Sequence, residues 1–267
     1  MGLIACFVGH IPLYLYGCIV AAALLAGLLV ARISTWVYDE DFSAVIDLLL
    51  WGIPVGFIMA RAGYVLGHWS FYLAHPESIA WVWEGGFSLY GAALGLVLVL
   101  WLYCRCREMD FWHWLDILAP ALLLALAINQ FGHFVMQTTV GMPLPPDLPN
   151  DHTLAEYIEF SYRPSGFERY EYFQPVALYQ AGMQLAAWLL AVILTFWQAR
   201  RRLWHEGCLF LFGAAAVCLI RFGCGYFYLS TTPGLHPGQI LSLAAAAACL
   251  ALFFWRQHQQ RDRYFWR

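Results

Sequence analysis

Two arginines interrupt runs of apolar sequence. Arg61 lies in Ile58-Met59-Ala60-Arg61-Ala62-Gly63-Tyr64 and Arg221 in Cys218-Leu219-Ile220-Arg221-Phe222-Gly223. Placing such a residue at the centre of a bilayer costs about 2.5–3.5 kcal/mol on insertion scales, so each needs a partner. A guanidinium matches a phosphate with two parallel hydrogen bonds, which makes an anion clamp one reading of both. Snorkelling to headgroups or a structural ion pair is the other, with Glu84 the candidate partner for Arg61.

Three further groups could join such chemistry. In Asn129-Gln130-Phe131-Gly132-His133, Gln130 and His133 are three apart and share a helix face. The histidine fits a general base or a hydrogen bond to phosphate, and equally an interhelical hydrogen bond. Pro237-Gly238-Gln239 opens a helix, whose N-terminus attracts anions but is also ordinary capping sequence. Trp83 to Gly95 (W-E-G-G-F-S-L-Y-G-A-A-L-G) carries four glycines. Each weakens a helix by about 1 kcal/mol relative to alanine, so the cluster reads as a packing device, a turn, or backbone brought close to a ligand.

The elements that position these groups follow from composition. Of 267 residues, 62% are hydrophobic and only 12% charged, against roughly a quarter charged in soluble domains, so the chain is an integral membrane protein. All fourteen basic residues are arginine, and they form no basic stripe outside the loops flanking apolar runs, which excludes nucleic acid as a partner. The cysteines lie mostly in apolar runs without chelating or C-x-x-C spacing, so they read as packing, and no metal site is expected. Leu3-Ile4-Ala5-Cys6 mimics a lipidation box but follows no charged leader or apolar core.

A spanning helix needs about 20 mostly apolar residues. Seven candidates run at about 12–33, 44–68, 88–104, 112–135, 174–199, 207–229 and 237–255. The expected fold is therefore all-α, a single polytopic membrane domain over 1–267. Ten of the fourteen arginines (Arg32, Arg105, Arg107, Arg200, Arg201, Arg202, Arg256, Arg261, Arg263 and Arg267) fall on one side of this arrangement. The positive-inside rule then puts the C-terminus in the cytoplasm and the N-terminus outside. An outer-side arm of about 137–173 starts with Pro143, Pro145, Pro146 and Pro149, which forbid helix there. Leu154 to Tyr162 is expected to form a short interfacial helix. Connections of this length are often lids or binding arms.

With these motifs in order, the sequence resembles the prolipoprotein diacylglyceryl transferases of bacteria along nearly its whole length. Leu13-Tyr14-Leu15-Tyr16-Gly17 resembles the family's W/R-x-Y-G element and Ala60-Arg61-Ala62-Gly63-Tyr64-Val65 its G-R-x-G-Y-V. Trp83-Glu84-Gly85-Gly86-Phe87-Ser88-Leu89-Tyr90-Gly91 is similar to W-x-G-G-M-S-F-H-G, the most specific match. Asp116-Ile117-Leu118-Ala119-Pro120 resembles D-x-x-A-P, and Gln130 to Phe134 the R-x-G-N-F of the family. Pro175-Val176-Ala177-Leu178-Tyr179-Gln180 is similar to P-S-Q-L-Y-E, and Gly238-Gln239-Ile240-Leu241-Ser242 to G-Q-x-L-S. Several charged positions differ: Tyr90 stands where the family has histidine, Gln130 where it has arginine, His133 where it has asparagine, and Met136-Gln137-Thr138 replaces N-G-E.

The resemblance implies transfer of the diacylglyceryl group of phosphatidylglycerol to a lipobox cysteine thiol, in the bacterial cytoplasmic (inner) membrane and without a cofactor. It implies catalytic roles at Tyr90, His133 and Arg221. Lipid contacts are implied at Arg61, Gly85, Gly86, Ser88, Gly91, Gln130, Gly132, Tyr179 and Gln239. The partners are phosphatidylglycerol and a prolipoprotein signal peptide. The substituted positions support an alternative, a lipid-binding homologue or subunit of a larger membrane complex without turnover. A transporter would need inverted repeats or intramembrane acids in a row, and neither is present.

Overall fold

A computed structural model describes residues 4–8, 11–82, 85–145, 154–201, 204–229 and 237–265, with side chains of 15–82 and onward to 258 within those ranges. Trp83 and Glu84, Pro146 and Pro149, and Arg202 and Arg267 lie outside the described residues, as does the start of the lipidation-box mimic. Among the described residues, seven helices are long and apolar enough to cross a membrane, as expected. The chain is a multi-pass membrane protein. It divides into two compact units, Asp39–Leu115 and Met1–Tyr38 with Asp116–Arg267.

In the shorter unit, α2 (Ser43–Gly67) is followed by a short helix α3 (Trp69–Ala74) and a 3₁₀ segment, Pro76–Ala80. Next comes α4 (Leu89–Arg107). Ser88 caps α4, its Oγ accepting from Gly91 N at 3.3 Å, which satisfies one of the donors a helix start leaves open. The helix ends at Glu108 in a left-handed conformation (φ 56°), where Met109 N donates to Cys104 O. Asp110 then caps α5 (Phe111–Val135), accepting from Trp112 N and His113 N at 2.8 and 3.0 Å.

Helices α2 and α4 pack along a seam of glycines. A Cβ at Gly95 would stand 3.2 Å from the Cα of Gly56, and one at Gly91 would collide with the Met59 carbonyl oxygen. Small residues at four-residue spacing (Gly52 and Gly56 against Gly91 and Gly95) thus let two backbones approach where lipid gives no hydrophobic drive. Further along, Tyr103 donates to Asp47 at 2.8 Å beside Arg107 at 3.4 Å.

The larger unit holds α1 (Leu15–Tyr38), the remainder of α5, α6 (Val176–Arg201), α7 (Cys208–Cys224) and α8 (Pro237–Phe265). The first span begins three residues later than expected, because Ile4–Val8 (β1) and Ile11–Tyr14 (β2) pair as an antiparallel hairpin. Asp116 is buried at 2% exposure, and its two oxygens accept from Gly207 N and Phe210 N, each at 2.8 Å. The D-x-x-A-P aspartate is therefore the N-terminal cap of α7, supplied from another helix.

Helix α6 buries an amide-rich stripe: Gln180, Gln184, Thr195 and Gln198. Gln198 grips the backbone of Trp204 with both ends of its amide, accepting from N at 2.9 Å and donating to O at 2.5 Å. That staple closes the α6–α7 connection.

Over its described residues, the 137–173 arm is extended rather than α-helical. Leu154 to Tyr162 holds strand β3 (Glu156–Tyr157) and a 3₁₀ turn at Phe160–Tyr162, correcting the interfacial helix expected there. Its aromatics serve a sheet instead: β3 pairs antiparallel with β4 (Tyr172–Phe173). Phe173 also faces Pro143, and Gly141 faces Tyr228. The bonds Leu144 N to Tyr172 O, Gln174 N to Met142 O and Met142 N to Phe227 O complete four adjacent extended segments.

Candidate functional site

Directly opposed residues of antiparallel neighbours share a face, and so do residues two apart along a strand. Tyr228, Gly141, Pro143, Phe173, Glu156 and Ile158 accordingly lie on one face of the arm sheet. It is the inward face: Phe173 and Ile158 are 0% exposed and Glu156 5%, whereas Tyr157 points out. A Cβ on Gly141 would meet Val176, the first residue of α6, so the face is seated on the start of that helix. Gln137 fastens the sheet to the end of α5, donating to Tyr157 O at 2.7 Å and accepting from Glu159 N.

Beneath it lies a polar cluster. Gln130 of α5 donates to Gln180 of α6, both buried, and Gln180 is hydrogen-bonded to Tyr228. Burial raises the Tyr228 phenol above its ordinary range, while the nearby Arg221 charge opposes that shift. Arg221 acts electrostatically on His133 as well. Among the described residues, its guanidinium has no hydrogen-bond or ion-pair partner.

His133 is held by its neighbours. Its Nδ1 is 2.8 Å from Thr138 Oγ1, which itself donates to the His133 carbonyl at 3.3 Å. The hydroxyl has one proton, so it either donates to Nδ1 or accepts from it, according to the tautomer of the ring. The ring packs against Tyr16, whose hydroxyl donates to Asn129 Oδ1 at 3.0 Å. Gly132 lets Ile19 of α1 come close; a Cβ there would lie 2.8 Å from its methyl. Tyr179 reaches the Leu154 carbonyl at 3.5 Å and packs edge-on against Phe227. Gln239, at the start of α8, is buried against Gly225.

The other predicted residues sit together in the shorter unit. Arg61 is 7% exposed and all five of its N–H donors meet carbonyls: Nε to Ile79, Nη1 to Gly85 and Gly86, Nη2 to Ser78 and Trp81. The guanidinium also lies 5.6 Å from the Tyr72 ring centre. In this arrangement Arg61 gathers the segment from Ser78 to Gly86 and has no N–H left for a phosphate. Gly85 and Gly86 turn with φ of 85° and 78°, and a Cβ at 86 would strike Tyr64 and Arg61. Ser88 N donates to Ala60 O at 2.9 Å, its side chain caps α4, and Gly91 belongs to the packing seam. Tyr90 is exposed on the first turn of α4.

The arrangement defines a class: a multi-pass membrane protein with a cation and a polar amide cluster at its helix ends, roofed by a small sheet. Residues 3–255 match the family profile of prolipoprotein diacylglyceryl transferase, and the chain belongs to that family. Among its relatives, the phosphatidylglycerol–prolipoprotein diacylglyceryl transferase of Listeria innocua is 30% identical over 98% of this chain and 92% of that protein. The protein of the same name from Limosilactobacillus reuteri is 30% identical, covering 96% and 92%. One from Pediococcus pentosaceus is 28% identical, covering 97% and 92%.

Sequence reading gave Gln180 and Asp116 only as members of motifs and missed Tyr228 and Glu156. Gln180 had a signal, an amide inside an apolar span, and so did Asp116, an acid in another. Glu156 had none, since an acid in a polar arm is unremarked until a sheet register turns it inward.

Proposed function

We propose that this chain transfers the diacylglyceryl group of phosphatidylglycerol to the cysteine thiol of a prolipoprotein. The observation that carries the reading is Arg221, a cation without a partner among the described residues, beside the His133 imidazole and the Gln130–Gln180–Tyr228 cluster. Arg221 holds the lipid phosphate and neutralises the charge that grows on it as it leaves. In the tautomer whose Nδ1–H donates to Thr138, the His133 imidazole takes the thiol proton at Nε2. The sulfur–carbon bond forms as the carbon–oxygen bond to phosphate breaks, and its electron pair departs on glycerol phosphate. Tyr179, Gln130, Gly132 and Gln239 form the walls. Arg61, Gly85, Gly86, Ser88 and Gly91 build the turn that leads into α4 and carry Tyr90 on its first turn.

The arginine distribution supports an N-terminus outside and a C-terminus in the cytoplasm, in the bacterial cytoplasmic membrane. Tyr90 and Gln130, uncharged where relatives of the family motif carry histidine and arginine, favour the second reading of a lipid-binding homologue without turnover. Expression in a strain depleted of its own transferase separates the two. Transfer to a reporter prolipoprotein is expected with the natural chain, and a loss of about 10²–10³-fold with R221A or H133A. A stably inserted chain that restores no lipidation rejects the enzymatic reading.

A further inference from the structure

Glu156 is a buried carboxyl that the mechanism above leaves unused. It is 5% exposed, both oxygens are enclosed, and neither has a hydrogen-bond partner among the described residues. Its neighbours on the inward sheet face, Phe173 and Ile158, are apolar and fully buried. No charged group contributes to its protonation behaviour; burial alone raises it to about 7. A folded protein does not ordinarily leave two strong acceptors dry, because desolvation without a donor is costly.

Its position gives the orphan a purpose. Glu156 and Tyr228 lie on the same face of the sheet, with the 172–174 and 140–144 segments between them. At roughly 4.8 Å per strand, and with Tyr228 opposite Gly141 rather than Pro143, their backbones are about 16 Å apart. One end of the face thus adjoins the Arg221 cation, and the other presents two acceptors.

We propose that Glu156 is a hydroxyl-binding subsite that receives the vicinal diol at the free end of the phospholipid headgroup while Arg221 holds its phosphate. The inference rests on the transferase reading. Two oxygens on one carboxyl match two adjacent hydroxyl donors. A diol needs no counter-charge in an apolar surround, whereas an ammonium would have to shed its hydration there.

The test compares phosphatidylglycerol with phosphatidylethanol, which keeps the phosphodiester and lacks the diol, using the full chain in mixed micelles with a lipobox peptide. The natural chain is expected to favour phosphatidylglycerol in kcat/KM by roughly 10–100-fold, as for hydrogen bonds to a charged group. E156M, similar in length and without oxygens, is expected to bring phosphatidylglycerol down to the level of phosphatidylethanol and to leave the latter unchanged. Equal losses on both lipids, or none on either, overturn the proposal. Should E156M not accumulate, E156Q carries the test: a loss confined to phosphatidylglycerol supports it, and an equal loss on both lipids overturns it. If the natural chain turns over neither lipid, the transferase reading falls and takes the subsite with it.

Discussion

Arg61 Nη1 donates to the carbonyl of Gly86 at 3.1 Å, and a Cβ on that glycine would come within 2.9 Å of the same nitrogen. The cation and the glycine therefore define each other: only a bare backbone fits beneath the guanidinium, and only a planar fork reaches the carbonyls around it.

Lysine cannot replace that fork, since three rotatable donors on one nitrogen do not span five separated carbonyls. R61K is expected to lose roughly 3 kcal/mol or more, because buried acceptors are left dry. Thermal denaturation in detergent and protease cleavage between 75 and 88 would register it. An R61K protein that melts like the natural one but shows a raised KM for lipid would sink the loop-holding account and return Arg61 to the phosphate.

The four glycines of the 83–95 stretch have separable roles, and alanine substitutions sort them. Gly85 has open space around its α-carbon, so G85A should cost only about 1–2 kcal/mol of left-handed strain. G91A drives a methyl into the Met59 carbonyl and should prevent α2 and α4 from closing, with a loss at least twice as large. Melting temperatures that place G85A below G91A would refute this division.

Glu156 makes stability depend on pH. Its folded-state pKa is raised from 4.5 to about 7, so its contribution is fully present below pH 4.5 and is lost as pH rises toward 7, where the unfolded chain ionises more readily. E156Q should therefore be near neutral at pH 4.5 and stabilising by about 2–3 kcal/mol at pH 8. Melting curves of both proteins across that range provide the check; parallel pH dependence would contradict it. The same variant would be the more stable and, by the subsite argument, the poorer on phosphatidylglycerol, the trade expected where a site holds an acceptor dry for its ligand.

Much of this was legible beforehand because membrane helices announce themselves by length and hydropathy, and six of the seven spans began within about two residues of expectation. The grouping of Gln130 with His133 followed from helical periodicity alone. What could not be read was the partner of each polar group. Arg61 suggested phosphate by its chemistry, but its acceptors are carbonyls 17–25 residues away along a turn with no periodicity. Glu156 escaped notice for a related reason: a strand only two residues long carries no alternation to reveal which side faces in. The proline-rich arm read as merely non-helical, and its pairing with Tyr172–Phe173 depends on contacts that local sequence does not encode.

The staple from Gln198 to Trp204 bears on how the chain is made. Helix α6 carries buried amides at Gln180, Gln184 and Gln198, and alone in hydrocarbon each would need a partner. By gripping the backbone just beyond its own end, Gln198 satisfies its amide before most of α7 has been synthesised. The end of α6 and its exit toward α7 are thereby fixed by bonds only six residues apart in sequence, without calling on any other helix.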